Sequence, residues 1–401
     1  MKMNILKLCL PLLAACAAGA ASPVAAQGNA GDILAAVEKN NTTLQALRKR
    51  VEAQQYASRS ERALDAPEVG FDYLWGSPAD IGTRKDITVT QSIDLAALTG
   101  ARGKLAGAKS ELSGIQYRME RQNVLLEAKR LYINIVYCNA LAVELSSRLE
   151  RSAGMEAACR EMQVRGETDM IEVNKAHIAY LSQKNALARN DVERESLLSE
   201  LRRLNGGEPI EVNDSAYPAG EMLPSDFRSW YEETSLRSPE LAYMRKNVEV
   251  NAAESRAVKM SNWPKLSAGY MAELVKGSNF RGLTLGLSVP LWSVRSKVRQ
   301  ADSSYEASKL EERDASVGMY ESLRGQYEKA KGLQDIVSEL SSSLAVSSET
   351  AALVEQRLDS GDISLIDSLM ELTLYYSLKD EAMAADRDFR LAVADLYIWE
   401  L

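Results

Sequence analysis

The chain has 401 residues, 46% of them hydrophobic, and 48 basic against 56 acidic side chains give a formal net charge of −8. That acidity argues against nucleic acid as a partner, since a phosphate backbone is held by clustered Lys and Arg. The single histidine His177 and the cysteines beyond the leader, Cys138 and Cys159, offer no metal-ligand spacing, and there is no phosphate loop or nucleophile elbow; these absences point away from an enzyme, a metal centre and any cofactor.

Residues 1–26 read as an export signal: Lys2 and Lys7, an apolar run from Leu8 to Ala21, and the small-residue site Val24-Ala25-Ala26 before Gln27. Leu13-Ala14-Ala15-Cys16 also fits a lipoprotein box in which Cys16 would be acylated; cleavage after Ala26 is the favoured reading. Loss of Lys2 and Lys7 with the leader takes the formal charge from −8 to −10. No other stretch reaches the run of about 18 apolar residues that a membrane helix requires. Any crossing of a membrane must therefore be made by strands.

After the leader, a first unit is expected over 27–205. An amphipathic helix from about Gly31 to Leu64 leads into two strands, 67–77 and 85–95. Val69, Phe71, Tyr73 and Trp75 point one way, while Glu68, Gly70 and Asp72 point the other; Ile87, Val89, Ile93 and Leu95 likewise oppose Thr88, Thr90, Ser92 and Asp94. Residues 79–208 contain no proline, which permits very long helices. Leu125, Ala128, Leu131, Tyr132, Ile135, Val136 and Leu141 give that stretch an apolar face. Gly166 breaks it once, followed by the capping box Asp169-Met170-Ile171-Glu172, which together mark a hairpin tip. An arm from Ala97 to Gln163 would span on the order of 100 Å. Cys138 and Cys159, roughly 30 Å apart along it, cannot bond to each other.

Residues 206–238 read as a linker, with Gly206-Gly207, several prolines and a short helix near Ser225 to Ser235. A second unit, 239–401, then repeats the first about 195 residues later. It comprises a helix from Pro239 to Ser261, strands over 264–275 and 280–291, and a hairpin with its tip near Gly361 and the box Ser364-Leu365-Ile366-Asp367. Pro67 falls opposite Pro264, Tyr73 opposite Tyr270, Arg102 opposite Arg295 and Gly166 opposite Gly361. Leu333, Val337, Leu340, Leu344, Ala351, Val354 and Leu358 form a heptad-like seam interrupted at Ser347. The expected fold is mainly α with a small β part: a duplicated unit of long antiparallel coiled-coil hairpins with four strands per chain.

Alternation in the strands also fits a half-buried sheet under helices. The export signal, the strand lengths and the aromatics towards strand ends at Trp75, Tyr270, Phe280 and Trp292 favour membrane strands with aromatics at the interface. Four strands are fewer than the eight of the smallest outer-membrane barrels, so a barrel would have to be shared between copies of the chain.

The doubled order of helix, strand pair, long hairpin and tip glycine resembles the TolC-like outer-membrane efflux family over about 31–401. The local motifs are Asn41-Thr42-Thr43-Leu44 and Ser238-Pro239-Glu240-Leu241 at helix starts, and Thr90-Gln91-Ser92-Ile93 and Ser288-Val289-Pro290-Leu291 in outgoing strands. They continue with Arg102-Gly103-Lys104 and Ala108, and with Arg295-Ser296-Lys297 and Ala301; the stretch from Gln91 to Ala108 is similar to the heavy-metal and cation efflux branch. The resemblance implies a homotrimer, a twelve-stranded barrel in outer-membrane lipid, and a periplasmic tunnel that docks on an adaptor protein and an inner-membrane pump. It also implies adaptor contacts at the tips, Arg165-Gly166-Glu167 and Ser360-Gly361-Asp362, and a constriction by carboxylates six residues after each tip glycine, here Glu172 and Asp367. Both carboxylates also occupy the third position of a capping box, so a purely local role is the competing reading. Leu358 and Ile363 stand where the family's tyrosine and arginine links would be, so those links are not carried over. Rival readings are a periplasmic coiled-coil adaptor or scaffold, and the outer-membrane channel of a protein secretion system.

Overall fold

The computed structural model describes residues 30–77, 82–218, 222–275, 277–289 and 294–401. The leader with Cys16, and Trp292 with the Pro290-Leu291 end of its motif, lie outside the described residues.

The first half opens with two helices, α1 (Ala30–Asn40) and α2 (Thr42–Ser60), where the sequence predicts one. Asn41 makes the break: its Oδ1 accepts the Leu44 amide at 2.9 Å, while its Nδ2 donates to the Leu204 carbonyl at 2.8 Å. Both bonds need a non-helical Asn41, so the side chain stops one helix and caps the next. The second half repeats the device with α6 (Phe227–Arg237) and α7 (Pro239–Ser261), where Ser238 caps through the Leu241 amide and Pro239 takes the first helical position.

Strands β1 (Glu68–Trp75), β2 (Thr83–Ile93), β3 (Lys265–Val275) and β4 (Ser278–Ser288) form one antiparallel sheet in the order β1-β2-β3-β4. The register aligns Val69, Val89, Tyr270 and Leu283 on one face, and Gly70, Thr88, Met271 and Gly282 on the other. Gly269 has to be glycine, because a Cβ there would sit 2.7 Å from both Thr284 Oγ1 and the Val89 carbonyl. The corner out of β2 is fixed by buried Asp94, which accepts the Ala96 amide at 2.8 Å and the Arg102 guanidinium at 2.6 Å. A single turn, α3 (Leu95–Leu98), then separates the strand from the long helix.

Helices α4 (Ala101–Val164, 64 residues) and α8 (Val294–Asp359, 66 residues) are each about 100 Å long at 1.5 Å per residue. They return as α5 (Met170–Leu204) and α9 (Leu365–Leu396). Heptad spacing explains the pairing: Val173, Ala176, Asn190, Leu201 and Leu204 bury one side of α5 against α4, and Ala351, Val354 and Leu372 close α8 on α9.

The core is concentrated midway along the hairpins. Ile33, Val37, Leu44, Leu131, Ile135 and Leu204 pack there with Ile210 and Val212 of the linker. The linker is strapped to α4 by Tyr132, whose hydroxyl donates to Asp214 at 2.7 Å, and by Asn139, which donates to the Val212 and Asp214 carbonyls at 2.9 and 2.8 Å. A matching aromatic cluster in the second half joins Phe227, Trp230 and Tyr231 to Leu241, Met319 and Leu323.

Candidate functional site

Both hairpin tips use one backbone solution. Gly166 and Gly361 adopt φ of 77°, the left-handed conformation in which a Cβ is strained. Glu167 donates to the Met162 carbonyl at 2.9 Å and Gly166 to Gln163 at 2.9 Å; Asp362 donates to Arg357 at 2.8 Å and Gly361 to Leu358 at 3.1 Å. These pairs are Schellman closures, which satisfy the last carbonyls of α4 and α8. Arg165, Glu167, Ser360 and Asp362 stand exposed around them. The side chains diverge where the backbone does not: Arg165 pairs with Glu167 at 3.4 Å, whereas Ser360 donates to Asp362 at 2.8 Å.

Glu172 and Asp367 each lie one turn into the returning helix. The Thr168 hydroxyl donates to Glu172, and the Ser364 hydroxyl donates to Asp367 at 2.7 Å. The backbone donors at these ends are met by other atoms: Asp169 Oδ1 accepts the Ile171 and Glu172 amides at 2.9 and 3.0 Å, and Ser364 Oγ accepts the Asp367 amide at 3.1 Å. Each carboxylate thus accepts a hydroxyl on one of its oxygens. Glu172 is half-buried and Asp367 exposed. Leu358 packs into the α8/α9 seam.

Above the tips the two hairpins are joined along α4 and α9 by a buried ionic cluster that sequence reasoning does not find. The Arg148 side chain, 3% exposed, holds Glu144 of its own helix at 2.8 Å and Asp380 of α9 by two bonds of 3.0 and 2.8 Å. Its guanidinium also lies 4.3 Å from the Tyr376 ring centre. Burial works against the Glu144 carboxylate, but hydrogen bonds from Lys379 and Arg148 outweigh it and hold its pKa below the usual range. Arg151 extends the cluster to the Tyr376 hydroxyl and to Glu355 of α8 at 2.9 Å. Nearer the tip, His177 Nδ1 lies 2.8 Å from Glu156 and ties α5 to α4. Cys138 and Cys159 are free and buried.

On the sheet, Trp75 and Tyr270 lie exposed on the apolar face with Val69 and Leu283. Phe280 is also exposed but falls on the opposite face, paired with Glu273 in a row that includes Asp72 and Asp86. Arg84 neutralises part of that row through Asp86 at 2.8 Å and Glu273 at 3.1 Å. Among the described residues no helix is long and apolar enough to cross a membrane.

Among the described residues, three tiers of the chain end in edges that no other element of the same chain covers. The sheet stops at β1 and β4, each with one unpaired backbone edge. In the upper helical tier α4 and α7 lie between α2 and α8, and in the lower tier α4 and α9 lie between α5 and α8. The outer side of α5 carries a second heptad of exposed side chains, Ile171, Ile178, Asn185 and Val192, and α8 leaves Leu310, Val317, Val346 and Leu353 exposed.

No family profile and no curated relative matches the sequence. Solved structures do match. CusC, studied for its folding and transmembrane channel formation, superposes with a TM-score of 0.79 over 94% of this chain and 92% of its own at 13% identity. The CmeC outer membrane channel of Campylobacter jejuni superposes at 0.76 over 92% of this chain and 85% of its own at 15% identity. The open-state MtrE outer membrane channel of Neisseria gonorrhoeae does so at 0.73 over 92% and 88% at 16% identity. With its duplicated hairpins, its four-stranded sheet and these superpositions along nearly its whole length, the chain has the TolC-like fold of outer-membrane channels.

Proposed function

We propose that the chain is one of three staves of an outer-membrane export duct, a passive channel that receives substrate from a periplasmic adaptor and an inner-membrane pump. The observation that carries this reading is the set of open edges at all three tiers. A sheet with two bare margins and an apolar face of Val69, Phe71, Trp75, Leu283 and Leu285 exposed is unstable in water, yet suits a closed barrel surrounded by lipid. Three copies would bring twelve strands, with β4 of one beside β1 of the next, and the free faces of α5 and α8 would meet below. Trp75, the last residue of β1, fits the aromatic girdle of such a barrel, whereas Tyr270 stands at the middle of β3, away from the interface level expected of it; the row of Asp72, Asp86, Glu273 and Phe280 would line the interior. The cargo we infer is metal cations or small toxic compounds, the first suggested by the resemblance of the stretch from Gln91 to Ala108 to the heavy-metal and cation efflux branch. On this reading the duct acts by geometry and field alone.

The protein is expected in outer-membrane fractions as a heat-modifiable trimer that conducts ions in planar bilayers; recovery as a soluble periplasmic monomer overturns the reading. At the tip, Glu172 and Asp367 would form rings of negative charge that favour cations. Glu172→Gln combined with Asp367→Asn keeps an acceptor for Thr168 and Ser364. It is expected to lower the cation-to-anion permeability ratio several-fold with an unchanged melting temperature. An unaltered ratio assigns both carboxylates to capping.

A further inference from the structure

The duct reading leaves without a role a groove of about 810 Å3 where the helices approach the sheet. Its walls are the first turns of α4, the stretch of α7 from Lys246 to Met260, and Arg62 just beyond α2. Four cations line it, Arg62, Lys104, Lys246 and Arg256, against two carboxylates, Glu111 and Glu249. Lys246 spends its charge on both carboxylates, 2.6 Å from Glu249 and closer still to Glu111. Among the described residues the side chains of Arg62, Lys104 and Arg256 have no ion-pair or hydrogen-bond partner. A chain of net charge −8 thus gathers three unspent positive charges over one concave surface.

The groove is open because its floor is small. Arg62 lies across Gly103 and Gly107: a Cβ on Gly103 would fall 3.2 Å from Arg62 Cγ, and one on Gly107 would fall 3.5 Å from the guanidinium. The glycines therefore set where the guanidinium reaches, and Ala108, Ala252 and Ala253 widen the space beside it. Beneath them Gly100, the first cap of α4, has no side chain to accept from the first-turn amides, so that helix end adds further positive potential. The volume is within the roughly 300–1,000 Å3 of small-molecule sites.

We propose that this groove binds a phosphate group, the guanidinium groups of Arg62 and Arg256 and the ammonium of Lys104 converging on its oxygens. The phosphate chemistry follows from the lining alone. Its nearest source rests on the membrane reading, because the groove lies within one helical segment of β2 and β3, at the depth of lipid headgroups if the sheet is in the bilayer. An anionic phospholipid would then mark where strand ends and helix begins.

The test uses the full-length protein in a nonionic detergent, titrated with short-chain phosphatidylglycerol, with short-chain phosphatidylcholine and with inorganic phosphate, binding being followed by calorimetry. Wild type is expected to prefer phosphatidylglycerol over phosphatidylcholine, and a triple variant, Arg62→Gln, Lys104→Gln and Arg256→Gln, is expected to bind it at least tenfold more weakly. Displacement of phosphatidylglycerol by millimolar inorganic phosphate supports the site and assigns a soluble phosphate as its source; persistence of the lipid assigns the headgroup. Equal affinity of wild type and triple variant, or no preference between the two lipids, overturns the site. Trimer mass and conductance, recorded on the same samples, report on the duct independently, so an intact conducting trimer without lipid preference rejects the groove alone.

Discussion

Ile178→Asp with Val192→Asp is expected to convert the assembly into folded monomers. Both side chains sit on the outer heptad of α5, 65% and 72% exposed, with no role in the pairing to α4. In an isolated chain the two changes meet only water, and surface substitutions of this kind alter stability by about 0.5 kcal/mol or less. In a closed ring the same positions face the α8 of a neighbouring copy across a coiled-coil seam. Each aspartate would then be buried without a partner, at a cost of several kcal/mol repeated at every interface. Asn185, between them, fits the polar position that fixes register in such seams. Light scattering coupled to size exclusion measures the outcome. A variant that keeps the mass of the wild-type assembly, with its circular dichroism intact, overturns α5 as an interface helix.

Arg148→Met is expected to have the largest effect on the stability of a single chain. The substitution keeps an unbranched apolar stem against Tyr376 but leaves Glu144 and Asp380 without the guanidinium that joined them. Asp380 is half exposed and can rehydrate, so a loss of on the order of 3 kcal/mol is expected, the low end for removing one partner of a buried ion pair. Hydrogen exchange should rise in α4 and α9 around these residues before it rises in the core near Ile135. Acid should mimic the variant in part. The Glu144 carboxylate has its pKa lowered in the fold, so its contribution is fully present above its ordinary value of 4.5 and is lost as pH falls through the lowered one. Wild type therefore weakens below about pH 4.5, and Arg148→Met shows a shallower loss over the same range, since its Glu144 retains only Lys379. Equal melting temperatures for the two proteins at pH 7 would rule out the cluster as the link between hairpins.

The hairpins were legible because proline-free length, a heptad seam and a glycine followed by a cap are all local signals, and each is repeated in the second half. The helix from Pro239 to Ser261 could be bounded from the sequence for the same reason, with serine, proline and asparagine at its ends. The break at Asn41 was hidden, because its cause is a bond to Leu204 on a helix that arrives 163 residues later. Arg148 was invisible for the same reason, its main partner being 232 residues away. Phe280 shows a different failure. It sits near a strand end as interface aromatics do, but it stands three positions from Leu283, so the two must face opposite sides of the sheet. The outer stripe on α5 was present in the sequence as well. Only the packing of α4 on the other side showed that it was left over.

The two tips share one backbone closure yet present different chemistry, a cation and an acid flanking Gly166 and a hydroxyl and an acid flanking Gly361. Arranged around a threefold axis, six such ends would alternate, giving a rim whose shape nearly repeats every sixth of a turn while its charge repeats only every third. Any partner that grips this rim by form alone could seat in two orientations a sixth of a turn apart, and one that also reads charge is left with a single seating.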